Sequence, residues 1–358
     1  MSVWRDLYHG TTTFDFYGGR RRWFTASLVI VVVSIGALAI RHLNLGVDFK
    51  GGTLVEMENP SGAVVGEVRS AIEALGIVGA KVQSTGGGAG LRVQTSQLSP
   101  ADEDAVVQSV ATLAGVDPAE ASRQSVGPTF GSSIAASALR ALIIFLIVVA
   151  LFITWRMEWK MAATALLALG HDLIFTAGIY ALVGFEVSPA TVIAILTILG
   201  YSLYDTVVVF DKLEENILER GDRHTFSALV NMSMNQVLMR SVNTSLTSLL
   251  PIGSLLFVGS FLLGATTLRE FALALFIGVA TGTYSSIFLA APMLGVWKEG
   301  EEKWIRIRRR LERRGGEEDS DARVAPRPAV TATAERVLPV RDVSGAAPRP
   351  PRKRRKKR

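Results

Sequence analysis

The sequence predicts a polytopic α-helical membrane protein with six transmembrane helices and one small α+β domain between the first and second of them. Three observations carry that class. Of the 358 residues, 49% are hydrophobic and only 20% charged, and mean hydropathy is +0.33, an apolar excess too large for one soluble core of this length. Apolar runs able to cross ~30 Å of hydrocarbon, which takes ~20 residues, recur at 23–43, 138–155, 161–183, 189–210, 241–262 and 271–297. The one long stretch between the first two runs, 44–137, is of mixed polarity and net acidic.

The elements follow in order. Residues 1–22 end in Gly18-Gly19-Arg20-Arg21-Arg22, and no small-residue cleavage site closes the first apolar run, so it reads as a retained helix and not a signal peptide. Arg20 to Arg22 precede span one, Arg156 and Lys160 lie between spans two and three, and Lys212, Arg220 and Arg223 lie in the loop 211–240 between spans four and five. By the positive-inside rule those loops are cytoplasmic, and six spans then place both termini inside an inner (cytoplasmic) membrane. The opposite loops are poor in basic residues, with Arg269 beside Glu270 between spans five and six.

Within 44–137, residues 53–58 alternate as a strand, 63–75 have helical spacing, and 80–84 with 91–95 read as a hairpin across Gly86-Gly87-Gly88. A second helix is expected at 100–113 and a last strand at 121–126. That βαββαβ order predicts a ferredoxin-like extracytoplasmic domain. Beyond Trp297, residues 298–358 carry 20 Lys/Arg against 10 Asp/Glu and end in seven consecutive basic residues, 352–358. After a charged amphipathic run to about residue 314, this tail is expected to be largely disordered, holding too little apolar surface to offset chain entropy. Its charge suits anionic lipid on the cytoplasmic side or ribosomal RNA phosphates.

Charges at mid-membrane are costly, ~2.5–3.5 kcal/mol even on the lenient insertion scale, and so mark function. In span four Thr197, Tyr201 and Asp205 recur every four residues on one face. Span five opens with Arg240, Asn243, Thr244, Thr247 and Ser248 at helical spacing, a polar stripe running inward from a guanidinium. Depth counting brings Asp205 and Arg240 toward the cytoplasmic side, either as a coupling pair or as a static clamp between helices. Asp211 reads as a solvated boundary charge. His171-Asp172, central in span three, is either a proton relay or a hydrogen-bonded structural pair. Gly278, Gly282 and Ser286 in span six form a small-residue face for helix packing.

Several chemistries are excluded. The chain has no cysteine, so thiolate metal sites and cysteine nucleophiles are absent, and no two of its four histidines sit at helical ligand spacing. Gly46-Val47-Asp48-Phe49-Lys50-Gly51-Gly52-Thr53 looks superficially like a phosphate loop but does not match the required pattern. No cofactor, metal or enzymatic activity is expected, which leaves an ion gradient as the energy source.

These motifs resemble the SecF members of the SecD/SecF family, within the resistance–nodulation–division superfamily. The resemblance rests on the segment from Gly46 to Thr53, Val126-Gly127-Pro128, His171-Asp172, Gly200-Tyr201-Ser202, Asp205 through Asp211 and Glu215-Asn216, then Arg240 with Asn243-Thr244-Ser245, and Gly278 with Gly282-Thr283-Tyr284-Ser285-Ser286. It implies a subunit that works with SecD and the SecYEG channel, and with a YajC-like subunit, drawing on the proton-motive force to promote late steps of export of polypeptide substrates. It also implies the ion-coupling role for Asp205 and Arg240. The chain departs from the family in placing Tyr204 where Asn is common. Two other classes compete: a scaffold that only holds the channel and its partners together, and a half-size small-molecule exporter.

Overall fold

The structure is a computed structural model that describes residues 13–262 and 266–313. The expectations for residues 1–12 and for the tail from 314 to 358 lie outside the described residues.

Helix α1 (Arg20–Arg41) leads through a two-residue strand β1 (Asn44–Leu45) and a single helical turn α2 (Val47–Lys50) into the α/β domain. There β2 (Gly52–Glu58), α3 (Val65–Ala74), β3 (Lys81–Thr85), β4 (Gly90–Thr95), α4 (Pro100–Ala114) and β5 (Ser122–Val126) follow as βαββαβ. The sheet order is β3-β4-β2-β5, and every neighbouring pair is antiparallel. Period-two alternation places Leu91, Val93 and Thr95 of β4 inward. Leu91 and Val93 meet Val68 and Ile72 of α3 and Val106, Val107, Val110 and Ala111 of α4 in one core. The start of α4 is set by Ser99, whose Oγ accepts from the Asp102 amide, and its end by Gly115 in the left-handed conformation.

Among the described residues six helices are long and apolar enough to cross a membrane. After α1 these are α5 (Pro128–Arg156) and α6 (Trp159–Val183), then, past the short strand β6 (Glu186–Val187), α7 (Pro189–Arg220), α8 (Phe226–Ser254) and α9 (Thr266–Ser285). A π-helical stretch, Leu255–Leu262, extends α8. Another, Ser286–Ala290, carries α9 into α10 (Ala291–Glu299), which precedes α11 (Glu302–Arg313). Helix α9 packs against α6, α7 and α8, and α1 lies along α6.

One sequence expectation is corrected. Residues 211–240 are not a loop: α7 runs on to Arg220, and α8 begins at Phe226, with Thr225 accepting from the Ala228 amide. These extensions are amphipathic, burying Leu213, Leu229, Val230 and Met234 while exposing charge, so average hydropathy passes over them. Asn216 locks the hairpin, donating to Ser233 Oγ at 2.7 Å and Gln236 Oε1 at 2.8 Å. The charged amphipathic run expected after Trp297 is ordered as a helix. Lys298 is buried and pairs with Glu158, and α11 lays Trp304, Ile307 and Leu311 against the bundle, with Trp304 edge-on to Phe226 at 4.9 Å.

The junction of domain and bundle depends on glycine. Gly51 has φ of 76°, and a Cβ there would lie 2.6 Å from Pro128 Cα at the start of α5. Backbone meets backbone at this point, so no larger residue fits without moving a whole element.

Candidate functional site

Two buried aspartates on adjacent helices form the polar centre of an otherwise apolar bundle. Asp205 of α7 accepts from Ser241 Oγ of α8 at 2.8 Å and, on its other oxygen, from Ser286 Oγ at 2.6 Å. Asp172 of α6 accepts on Oδ2 from Ser202 Oγ of α7 at 2.6 Å and from Ser285 Oγ of α9 at 2.7 Å. Its Oδ1 lies 3.1 Å from His171 Nδ1. The two carboxylates are therefore joined through consecutive residues, Ser285 reaching one and Ser286 the other.

Helix geometry explains how neighbours serve different partners. Consecutive residues on an α-helix diverge by about 100°, and here the helix passes into a π turn at Ser286, a distortion frequent at functional sites. Close approach is secured by glycine: a Cβ on Gly278 would collide with Ile198, and one on Gly282 would lie 2.8 Å from Ser202 Cβ. At Gly278 and Gly282 α9 therefore contributes no side chain to its contact with α7, which brings the helices close enough for short serine side chains to span the gap.

Several site residues are placed differently from the sequence expectation. Arg240 does not meet Asp205; its Nη2 donates to the Tyr204 hydroxyl at 2.9 Å, and both residues are exposed. The stripe Asn243, Thr244 and Thr247 does not face the carboxylates either. Thr244 donates to the Arg240 carbonyl and Thr247 to the Asn243 carbonyl, so these hydroxyls are satisfied by their own helix. The next face of α8 carries the site, through Ser241 and through Ser245, which shares a 2.6 Å hydrogen bond with Thr283. Thr197 is exposed and donates to the Ile193 carbonyl, so it does not extend the Asp205 face. Ser286, expected to serve packing, is an Asp205 ligand as well. Asp211 pairs with Arg156 at 3.3 Å at the surface.

Ser202, Ser241 and Ser285 escaped sequence reasoning. They lie within or beside the quoted motifs, but a serine in a helix gives no local sign of which neighbour it meets. Two polar atoms remain buried without a hydrogen-bond partner among the described residues, His171 Nε2 and the Tyr201 hydroxyl. Both belong to the helices bearing the aspartates. Chemically, serine hydroxyls donate to an ionised carboxylate and accept from a protonated one. The cage therefore holds either charge state of each aspartate after nothing more than hydroxyl rotation.

Six apolar helices around such a centre, with one inserted α/β domain, define a polytopic membrane protein. A family model described as protein export membrane protein SecD/SecF, C-terminal, matches residues 106–300, and the SecD/SecF GG motif matches residues 36–58. The chain is similar to protein translocase subunit SecF of Streptomyces coelicolor, 40% identical over 85% of this chain and 82% of that one. It is 42% identical to that of Mycobacterium tuberculosis over 96% and 81%. The solved structure of SecDF from Thermus thermophilus superposes with a TM-score of 0.74 at 33% identity, covering 84% of this chain and 40% of that one. A super-membrane-facing form of SecDF gives 0.59 at 32% identity, with 85% and 40% covered. The chain belongs to the SecD/SecF family of protein-export membrane proteins.

Proposed function

We propose that this chain is a SecF-like subunit of the Sec protein translocase, acting with SecD to promote late steps of export through SecYEG at the expense of the proton-motive force. The observation that carries the reading is the pair of buried aspartates, each held by two serine hydroxyls and bridged by Ser285-Ser286. A static clamp needs an opposite charge; among the described residues Asp205 is held by hydroxyls instead, a setting that accommodates both protonation states. The work is conformational, without covalent chemistry on the substrate and without a cofactor. Asp205 is the proton-carrying group and Asp172 the next acceptor, with His171 beside it. Arg240 is held by Tyr204 in this conformation and is the cation that approaches Asp205 in another.

The SecD partnership is supported by the SecDF relative of Thermus thermophilus, in which a stretch resembling this chain forms part of one longer chain. The reading places both termini in the cytoplasm of an inner-membrane protein, with the α/β domain, a ferredoxin-like plait, outside where it meets emerging polypeptide. A YajC-like subunit joins the complex, and the basic tail meets anionic lipid.

The test is Asp205→Asn in cells and in native gels. Proton-coupled action predicts loss of export stimulation with the SecD complex intact. A scaffold role predicts that export fails only when the complex is lost, and unimpaired export overturns the reading.

A further inference from the structure

Away from the aspartates, the guanidinium of Arg92 on β4 is enclosed by three carboxylates from three parts of the chain. Its Nη1 donates to Glu186 Oε2 at 2.8 Å and to Glu270 Oε1 at 2.9 Å, and its Nε pairs with Glu56 on the adjacent strand β2. Side-chain exposure is 13% for Arg92, 7% for Glu186 and 15% for Glu270, so the cluster is largely withdrawn from water. Glu56 and Arg92 belong to the α/β domain, Glu186 to β6 in the α6–α7 connection, and Glu270 to the first turns of α9.

The two bundle carboxylates are anchored differently. Glu186 is tied to the stem of the domain, because β6 pairs with β1 in the register Asn44 to Glu186, and Lys81 donates to Asn44 Oδ1 at 2.7 Å. Glu270 moves with α9, where the Tyr180 hydroxyl donates to its carbonyl at 2.7 Å. Beside them a cavity of about 220 Å³, lined by Thr85, Arg92, Phe185, Glu186 and Glu270 among others, leaves room for movement at the seam. Other charges face the cluster: Lys81 of β3, Asp48 and Lys50 of α2, and Arg269 of α9.

Helix α9 is also the helix that presents Ser285 and leads into Ser286, about 24 Å further along at ~1.5 Å per residue. It packs on α7 through Gly278 and Gly282, which receive Ile198 and Ser202 against the α9 backbone, so a movement of α9 is felt directly at α7. A slide that withdrew Glu270 would still leave Arg92 with Glu56 and Glu186. The contact can therefore break without stranding an uncompensated buried cation, which is the expensive way to open a buried ion pair.

We propose that Arg92 is a latch that fastens the α/β domain to the bundle through Glu270, worked by α9 when the charge state of Asp205 changes. The second half rests on the proton-coupling reading of Asp205; the latch itself does not. Because the chain contains no cysteine, Thr85→Cys in the seam gives a single reporter of latch opening by its maleimide-labelling rate. The full-length chain, co-expressed with its SecD partner in lipid nanodiscs, is the sample.

Arg92→Gln is expected to speed labelling severalfold, while Arg123→Gln, which breaks the exposed pair with Asp104 inside the domain, leaves the rate unchanged. Should Arg92→Gln fail to assemble, Glu270→Gln makes the same test with the cation kept paired. An unchanged rate in an assembled latch variant overturns the proposal. Asp205→Asn is expected to change the rate with Arg92 intact. Loss of export with an unaltered labelling rate overturns the α9 link and leaves the proposed function standing; retained export overturns the proposed function and the α9 link with it.

Discussion

Gly282→Ala tests the helix approach on which the serine cage depends. The added Cβ would lie 2.8 Å from Ser202 Cβ, 3.1 Å from its Oγ and 3.3 Å from its Cα. Favourable carbon contacts lie at about 3.5–4.0 Å, so α7 must retreat or Ser202 must rotate. Rotation breaks its 2.6 Å hydrogen bond to Asp172. Overpacking of this kind costs ~1–3 kcal/mol, and a lost interhelical hydrogen bond in a membrane ~0.6–1.7 kcal/mol. The better helix propensity of alanine returns ~1 kcal/mol, leaving a net loss of about 1–3 kcal/mol. At roughly 2–4 °C per kcal/mol, thermal unfolding in detergent should shift down by several degrees. Gly200→Ala is the control, since nothing lies within 4 Å of the added Cβ. That variant should match or exceed wild type. Adding Ser202→Gly to Gly282→Ala should relieve the overpacking but not the lost hydrogen bond to Asp172, so stability recovers only in part and export does not. Equal midpoints for Gly282→Ala and Gly200→Ala would refute the close-approach argument.

Three further expectations follow from other parts of the molecule. Gly51→Ala should cost ~2–4 kcal/mol, combining a left-handed backbone position with a backbone clash at Pro128, and should expose the domain junction to limited proteolysis; a protease-resistant variant would contradict it. Burial pushes the Glu186 carboxyl above the ordinary glutamate range, with Arg92 opposing. An acid raised on folding contributes stability below its unfolded pKa and loses it as pH rises through its folded value, so Glu186→Gln should gain on wild type in thermal midpoint as pH increases, and parallel pH curves would refute this. Tyr204→Phe removes an exposed hydrogen bond to Arg240, so stability should change by less than ~1 kcal/mol, while the pH response of export shifts because Arg240 is released. An unaltered pH response would show that Tyr204 does not restrain it.

The apolar runs were legible because each crossing needs a long uniform stretch, and hydropathy reads that directly. The strands and helices of the α/β domain lie within one or two residues of where alternation and turn residues put them, for the same local reason. Asp172 and Asp205 stood out because a charge is costly inside an apolar helix, and Gly278 and Gly282 because their four-residue spacing lines up one small-residue face. The partners did not stand out. Thr244 and Ser241 are both hydroxyls on α8, yet one bonds its own backbone and the other bonds Asp205; only tertiary packing decides which face turns inward. The Arg92 cluster joins residues 36, 94 and 178 positions apart, and no window along the chain contains that information. The expected Asp205–Arg240 pair failed for a related reason: depth counting fixes height in the membrane but not rotation about the helix axis, and Tyr204 captured the guanidinium.

The proposed function requires that Asp205 gain and lose a proton within the serine cage. Infrared difference spectroscopy of the reconstituted complex, recorded as the pH is stepped, observes carboxyl protonation directly. Proton coupling at Asp205 predicts a protonated-carboxyl band that disappears in Asp205→Asn and shifts in Ser286→Ala, which removes one of its two hydroxyl donors. A band that survives Asp205→Asn unchanged, or no carboxyl signal in the wild-type complex, would contradict it.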